Sequence, residues 1–398
     1  MPKVLRIINR LNLGGPAYNA AYLSKYLEPE FETLLVSGMK DESEESSEFI
    51  ATDLDLHPVY VPEMYRELHP FRDYKSYNKL RKIIEEFKPD IVHTHAAKAG
   101  AIGRLAALHS GVPIIIHTFH GHIFHSYFNT AKTRLFLEIE RYLAKRTTKI
   151  IALSEIQLLE LSETYKIAPV SKFEVIPLGF DLQKFQENQS AKRKQFRNYY
   201  NIDDDEIAIG IIGRLVPIKN HTLFLNALKI VSERTQKKIR AFIIGDGEER
   251  FRIEQTATQL GLKFNNQNLQ EKNMLTFTSW IKHIDISNAG LDIIALTSNN
   301  EGTPVSLIEA QASGKPIVTV NVGGIENIVI KNDTALLSDS GDTEAFAANL
   351  LKVIENDDLR QRLSGKGQKF VNSRFGCKRL CEDMATLYRT LLINFEKN

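Results

Sequence analysis

The residues best suited to chemistry in this sequence are two glutamates eight positions apart, Glu301 and Glu309. The apolar run 292–296 predicts a buried parallel strand, and a loop broken by Gly and Pro follows it and carries Glu301. A helix that starts near Pro304 would direct its free amides at a phosphate, and Glu309 could accept hydrogen bonds from ribose hydroxyls. Glutamates are also common at helix starts because they suit the helix dipole, so Glu301 alone does not establish a site.

Two cations, Arg214 and Lys219, follow another predicted strand, 207–212. Ligands of open α/β sheets bind at the carboxyl ends of the strands. Arg offers a rigid fork of donors and Lys a mobile point charge, and this pairing suits the non-equivalent oxygens of a diphosphate. Each residue alone is most simply explained as surface charge. Together with the glutamate loop they predict a phosphate site.

A glycine pair, Gly14 and Gly15, separates the first predicted strand, 4–8, from a predicted helix, 17–27. Glycine lets the backbone approach a ligand closely, and the helix start leaves amides facing an anion. A tight turn without any ligand explains the same pair equally well.

Histidines gather in the predicted strand 90–95 and in the later run 114–122, which contains a strand end and is followed closely by one more histidine: His93, His95, His117, His120, His122 and His125. Their density suggests a metal cluster, but no Cys, Asp or Glu is interleaved to complete a coordination shell. We therefore predict no metal site. The preferred interpretation is a strand end that presents His120 to a sugar hydroxyl or a reacting oxygen.

Strand and helix alternate throughout the 398 residues, which predicts parallel sheets covered on both faces. The polar, charged segment 184–206 predicts a linker between an N-terminal domain, 1–183, and a second domain, 207–376. A final helix, 377–398, is expected to pack back toward the N-terminal domain.

Composition narrows the class of protein. A net charge of +2 gives no argument for nucleic acid binding, and two cysteines at helical spacing fit a reducing compartment. The N-terminal residues lack a signal-peptide core, and no run approaches the roughly 20 apolar residues that span a bilayer. We expect a cytoplasmic protein, either soluble or at the inner face of a membrane.

The segment 132–149 predicts a basic amphipathic helix. Such a helix could contact an anionic membrane surface or a lipid-linked phosphate. A helix that packs on the core and exposes its basic face to solvent explains the same pattern and is the simpler interpretation.

Three motifs carry a resemblance to a known family: GRLVPIKN at 213–220, GDGE at 245–248, and EGTPVSLIEAQASGKPIVTVNVGG at 301–324. The chain resembles the retaining glycosyltransferases of family four, whose E-x7-E signature is matched by Glu301 and Glu309. PDIVHTH, HTFHGH and VIPLGFDLQKF in the N-terminal half are similar as well. The resemblance covers nearly the whole chain and implies the GT-B fold, two Rossmann-like doubly wound domains facing across a cleft.

The resemblance also implies roles for individual residues. Glu309 would bind the donor ribose, Arg214 and Lys219 would hold the diphosphate, and His120 would reach the sugar together with Glu301. The remaining implied donor-binding residues are Gly14, Gly15, Gly213, Gly245, Ile281, Gly302, Thr303, Pro304, Ser306, Leu307 and Ile308.

This chain departs from the family pattern at two places. Ser279, Trp280 and Ile281 stand where the family usually has glycine in the loop that meets the base. Asn327 stands where an acidic residue is common, and Glu326 lies one position early, so no role is assigned to Glu326.

The implied activity is transfer of a hexosyl or N-acetylhexosaminyl group, with retention, from a nucleotide-sugar to a saccharide or lipid-linked acceptor. A UDP-sugar is the favoured donor, the acceptor could be linked to polyprenyl diphosphate, and the product would serve polysaccharide or cell-envelope glycan synthesis. No cofactor and no metal are expected. The alternatives are another GT-B activity, such as a sugar epimerase or phosphorylase, and a non-catalytic two-domain solute-binding protein.

Overall fold

The computed structural model describes residues 1–11, 15–39, 48–65, 67, 69–120, 130–266 and 271–397. The chain divides into two compact units. The first comprises Met1–Phe180 together with Arg374–Asn398, and the second comprises Asp181–Ser373.

The first unit is built on a seven-stranded parallel sheet in the order β3-β2-β1-β4-β5-β6-β7. Its strands are β1 Lys3–Ile8, β2 Glu32–Gly38, β3 Val59–Val61, β4 Ile91–His95, β5 Ile114–Thr118, β6 Lys149–Ala152 and β7 Phe173–Val175. Its helices are α1 Gly15–Tyr26, α2 Glu48–Asp53, α3 Pro70–Phe87, α4 Ala97–His109, α5 Thr130–Arg146 and α6 Glu155–Leu159, which continues as a π-helical turn, Glu160–Thr164. Because β1 pairs with both β2 and β4, the strand order reverses at β1, the place where such sheets bind ligands.

Both faces of this sheet are covered, as continuous apolar strands predict. Val4 of β1 packs with residues of α1 and of the C-terminal helix, while Leu5 and Ile7 pack on the other face with residues of α3 and α4. Arg6, which lies between Leu5 and Ile7 in the strand, is fully buried. It donates to Ser24 Oγ at 3.1 Å and to the Tyr388 hydroxyl at 3.1 Å.

The second unit also holds a seven-stranded parallel sheet, in the order β10-β11-β9-β8-β12-β13-β14. Its strands are β8 Glu206–Ile212, β9 Lys238–Ile244, β10 Phe264–Asn266, β11 Leu275–Ser279, β12 Ile293–Leu296, β13 Ile317–Val320 and β14 Ala335–Ser338. The helices are α7 Gln189–Tyr199, α8 His221–Arg234, α9 Arg250–Gln259, α10 Ile284–Gly290, α11 Val305–Ala312, α12 Thr343–Glu355, α13 Asp357–Gly365 and α14 Gly367–Phe375. The prediction of two doubly wound α/β domains is confirmed.

The charged segment 184–206, predicted to be a linker, is folded within the second unit. It contains α7, whose Phe196 is buried against Gly290. A Cβ atom on Gly290 would lie 2.3 Å from the Phe196 ring. Arg193 and Arg197 both bind the carboxylate of Asp292, at 2.8 and 3.1 Å. The charges that suggested a solvated linker therefore attach the helix to the sheet.

The last helix, α15 Cys377–Glu396, belongs to the first unit. Leu380, Met384 and Tyr388 are buried in the same core cluster as β1 and β5 residues. No helix in the described part of the chain combines the length and the apolarity needed to span a membrane.

Candidate functional site

The site in the second unit forms at the carboxyl ends of β8 and β12, where the strand order reverses. Lys219, in the loop after β8, donates to Glu301 Oε1 at 2.5 Å, and Ser298 Oγ donates to the same oxygen at 2.6 Å. Both charged side chains are mostly buried. The structure thus brings together two of the predicted catalytic residues and adds Ser298, which sequence reasoning did not single out.

The glycine pair Gly323 and Gly324, after β13, fixes the backbone of the Glu301 loop. The Gly324 amide donates to the Glu301 carbonyl at 2.8 Å, and a Cβ atom on Gly324 would lie 1.9 Å from the Gly302 carbonyl oxygen. Gly323 has φ of +52°, which favours glycine. Here glycine permits a close approach between two loops of the protein itself.

Helix α11 begins directly after this loop, with Pro304 at its N-cap position. Proline offers no side-chain hydrogen bond to the first amides, so the helix start lacks a side-chain cap. The Leu307 amide is already used by the Pro304 carbonyl at 3.1 Å, and both Leu307 and Ile308 are buried. Gly302 is exposed, with nothing within 4 Å of a Cβ built on it. A phosphate could approach this helix start through its remaining backbone amides.

Glu309 lies in the second turn of α11 and is half-buried. Burial raises the pKa of its carboxyl group to about 7. The positive charge of Lys184 lowers this pKa in part, and the negative charge of Asp285 raises it further. A ligand that donates hydrogen bonds to this carboxyl group, as a ribose diol would, stabilises its ionised form. Lys184 was not predicted as a site residue, because it lies in the segment interpreted as a linker.

Gly213 and Gly245 pack against each other at the ends of β8 and β9. Gly245 has φ of +141°, and a Cβ atom on it would lie 2.0 Å from the Gly213 carbonyl oxygen. Arg214 follows on the exposed side of the loop and makes no ion pair within the described residues. Its guanidinium is therefore available to an anion beside the Lys219–Glu301 pair.

The loop after β11 contains the residues that replace the glycine usual in the family. Ser279 has φ of +61°, a backbone conformation that suits glycine, and its Oγ donates to Asp246 Oδ2 at 2.7 Å. Arg250 binds the same oxygen at 3.0 Å. Burial alone would raise the pKa of Asp246, but hydrogen bonds from Ser279 and Gly247, together with Arg250, outweigh it and lower the pKa. Ile281 is half-buried, and Trp280 is 40% exposed.

In the first unit, Gly15 is the first residue of α1, and a Cβ atom on it would lie 2.9 Å from the Leu178 side chain. Gly14 lies outside the described residues, as do His122 and His125. His120 is described: its Nε2 lies 2.9 Å from His95 Nδ1, and the two rings are 5.1 Å apart. Burial lowers the pKa of His120 to about 3, so its imidazole is neutral at physiological pH. A neutral imidazole can donate one hydrogen bond to a hydroxyl or accept one from it.

The other strand-end histidines form internal hydrogen bonds. His93 Nε2 lies 2.7 Å from Thr118 Oγ1, and His117 Nδ1 lies 2.9 Å from Thr94 Oγ1. Burial lowers the pKa of both rings well below the usual value. In the described part of the chain, no three His, Cys, Asp or Glu side chains are grouped so that they could hold a metal ion.

Comparisons with known proteins agree with this architecture. The profile of "Glycosyl transferases group 1" matches residues 192–370, and that of "Glycosyltransferase Family 4" matches residues 13–184. The chain is 30% identical to the UDP-Gal:alpha-D-GlcNAc-diphosphoundecaprenol alpha-1,3-galactosyltransferase of Escherichia coli, covering 86% of each chain. It is 28% identical to the capsular polysaccharide biosynthesis glycosyltransferase CapM of Staphylococcus aureus, covering 85% of this chain and 86% of CapM.

Among solved structures, HepE of Anabaena in complex with UDP superposes with a TM-score of 0.81 at 18% identity, covering 98% of this chain and 100% of HepE. The fold and the two profiles define a GT-B glycosyltransferase. The chain belongs to glycosyltransferase family four, which confirms the predicted fold class and the prediction that the chain is a glycosyltransferase.

Proposed function

We propose that this enzyme transfers a hexosyl or N-acetylhexosaminyl group from a UDP-sugar to a polyprenyl-diphosphate-linked saccharide in cell-envelope glycan synthesis. The observation that carries the proposal is the grouping of Lys219, Glu301 and an uncapped helix start at one strand edge. The Escherichia coli relative is named for a UDP-Gal donor and a diphosphoundecaprenol-linked acceptor, which supports both assignments, and the HepE complex supports UDP.

In the proposed reaction, Lys219 exchanges Glu301 for the diphosphate. The incoming phosphates compete with one carboxylate for the ammonium group, while Arg214 supplies a second cation. When the anomeric bond breaks, negative charge grows on the departing diphosphate, and these groups stabilise it. Removing one such charge should lower turnover roughly a hundredfold or more.

The proposed stereochemical course is retention. The acceptor hydroxyl attacks the anomeric carbon from the face that the diphosphate leaves, so the leaving phosphate can accept the hydroxyl proton. Glu301, still held by Ser298 at 2.6 Å, would remain beside the sugar once Lys219 has moved to the phosphates. His120, which is neutral, would hydrogen-bond a sugar hydroxyl and would not act as a general acid. No metal is required for these steps.

The proposal is tested with UDP-, GDP- and ADP-sugars, scored by thermal shift and by release of nucleoside diphosphate. We expect UDP-sugars alone to give both signals with a GlcNAc-diphospholipid acceptor, and we expect NMR of the product to show the donor's anomeric configuration. Release from GDP- or ADP-sugars at equal rates would contradict the donor assignment, and an inverted product would contradict retention.

We also propose that α5 contacts an anionic membrane at its inner face. One side of α5 packs on the core through Leu143 and Ala144, as the simpler interpretation predicted. A second apolar stripe, however, is solvent-exposed: Leu135, Ile139 and Tyr142, at 59%, 38% and 47%. These residues lie at i, i+4 and i+7, so they share one face of the helix.

An exposed apolar stripe beside cations is typical of helices that lie in a membrane interface. We expect the protein to float with vesicles that contain anionic lipid, and we expect this association to weaken with salt. Leu135→Ser should weaken it without lowering turnover on a detergent-solubilised acceptor. Binding that is absent, or insensitive to both salt and Leu135→Ser, would contradict the membrane contact.

A further inference from the structure

A cavity of about 840 Å³ opens beside the C-terminal half of α5, bounded by the π-helical turn after α6 and by the residues leading to β7. The side chains that line it include five cations and a single carboxylate, that of Glu138. The cations are Arg141, Lys145, Arg146, Lys166 and Lys172. The difference, five minus one, gives the lining a net charge of +4, whereas the whole chain has +2.

Most of this positive charge is not neutralised internally. Arg141 binds Glu138 at 2.5 Å and also donates to the Tyr165 carbonyl at 2.7 Å. Lys172 donates to a neutral backbone carbonyl, that of Thr147, at 2.7 Å. The bonds to carbonyl oxygens orient the side chains but leave their charges uncompensated, so Glu138 alone offsets one of the five charges.

The remaining three cations form no ion pair within the described residues. Arg146 lies over the Tyr142 ring at 3.9 Å, and its Nη1 donates to the Tyr142 carbonyl at 3.3 Å, a neutral acceptor that does not compensate the guanidinium charge. Lys145 and Lys166 are exposed and have no acceptor within the described residues. Several cations converging on one concave surface match an anion with several oxygens, and phosphate is the group that Arg and Lys bind in this way.

The surroundings indicate the source of that phosphate. Tyr142 lines the cavity and also ends the exposed apolar stripe of Leu135 and Ile139. A site for a free inorganic ion has no need of an apolar rim, whereas a headgroup attached to acyl chains does. We propose that this cavity binds the phosphate headgroup of an anionic membrane lipid.

This inference rests on the membrane contact proposed for α5 and makes it specific. The apolar stripe contacts the membrane interface, and the cavity binds the phosphate headgroup. The enzyme would then bind lipids with an exposed phosphate headgroup more tightly than other anionic lipids. The donor site in the second unit is not involved.

The test compares Lys145→Ala/Lys166→Ala with a control of equal charge, Lys82→Ala/Lys378→Ala, in which both lysines are exposed on other helices of the first unit. The probe is phosphatidylcholine vesicles with about 20% phosphatidic acid. Two lysines near an anionic surface should account for about a thirtyfold change in affinity, while the control should change it less than about threefold. Equal losses in both double variants, or no loss in either, would overturn the proposal.

Two further arms identify the ligand and separate this inference from the membrane proposal. Soluble dihexanoyl phosphatidic acid should bind the wild type and not Lys145→Ala/Lys166→Ala, and inorganic phosphate should bind far more weakly. Equal affinity for inorganic phosphate, or no binding of the soluble lipid, would overturn the headgroup site. If the wild type bound the soluble lipid but no vesicle, the membrane contact would fail while the cavity assignment would stand.

Discussion

Replacing Glu309 by Gln should make the enzyme more stable and its donor binding weaker, and the two effects should have different pH dependences. Burial raises the pKa of the Glu309 carboxyl group from 4.5 to about 7. Above that pH the folded protein holds a half-buried negative charge that no described side chain neutralises through a hydrogen bond. Gln keeps the shape of the side chain and removes the charge.

The size of the stability effect follows from this pKa. A tenfold change in a protonation equilibrium corresponds to about 1.4 kcal/mol, so the shift corresponds to about 3 kcal/mol. Solvent screening at a half-buried side chain reduces it to about 1 to 2 kcal/mol. Because the pKa is raised on folding, the folded wild type loses stability as the pH rises from about 4.5 through about 7. Glu309→Gln should therefore melt a few degrees above the wild type at pH 8 and close to it at pH 5.

The loss in binding has a separate origin. A carboxylate accepts both ribose hydroxyls through charge-assisted hydrogen bonds, whereas the Gln amide offers one acceptor and no charge. We expect a loss of about 2 kcal/mol, or roughly thirtyfold in affinity for a UDP-sugar at pH 8. Below about pH 7 the wild type should itself lose affinity as Glu309 takes up a proton.

Trp280 is the single tryptophan of the chain and follows β11 in the second unit, so its fluorescence reports both melting and donor binding there. A UDP-sugar is the suitable ligand because its diphosphate has no free terminal group that titrates in this range. The control is Asp204→Asn, which removes one charge from an exposed turn of the same unit. Destabilisation by Glu309→Gln at pH 8, or unchanged affinity, would refute the reasoning.

The other predictions concern the loops that hold this site. Lys219→Met should reduce donor turnover roughly a hundredfold or more. It should also lower stability by about 1 to 3 kcal/mol, because the mostly buried Glu301 carboxylate loses its ion-pair partner. Normal turnover in a kinetic assay would contradict this prediction. Ser279→Gly should leave the melting temperature nearly unchanged, since relief of about 1 kcal/mol of backbone strain offsets a lost hydrogen bond, whereas Ser279→Ala should lower it. Gly324→Ala should reduce turnover and stability because its Cβ atom would clash with the Gly302 carbonyl, while Gly365→Ala, with open space around it, should do neither. Equal melting temperatures for the two alanine variants would refute that argument.

Much of the fold could be predicted because its strands are continuous apolar runs that end in recognisable loops. The strand predicted at 4–8 agrees with β1, and the strand predicted at 207–212 agrees with β8. Two edge strands, β10 and β14, were not predicted. Two of the three residues of β10 are polar, and β14 has only four residues, too few to show a periodic pattern. The linker prediction was misled by Arg193 and Arg197, whose partner Asp292 is far away in sequence.

The site shows the same division between local and distant information. The glutamate spacing and the cations at the end of β8 are readable because each lies within one short motif. The Lys219–Glu301 ion pair joins two motifs more than eighty residues apart, so only the sheet order brings it into view. The left-handed backbone of Ser279 could not be read from a serine, whereas a glycine there would have suggested it. The roles assigned to the individual site residues stay predictions.

The discontinuity of the first unit determines the order in which the protein can be completed during synthesis. Residues 181–373 form the second unit without a break, so all its parts are present as soon as they leave the ribosome. Most of the first unit is translated earlier, but it lacks Leu380, Met384 and Tyr388 until α15 has been synthesised, and Arg6 cannot donate to the Tyr388 hydroxyl before then. The half of the enzyme that is made first is therefore the half that is finished last. Until then an apolar face of its sheet is open to chaperones and to aggregation.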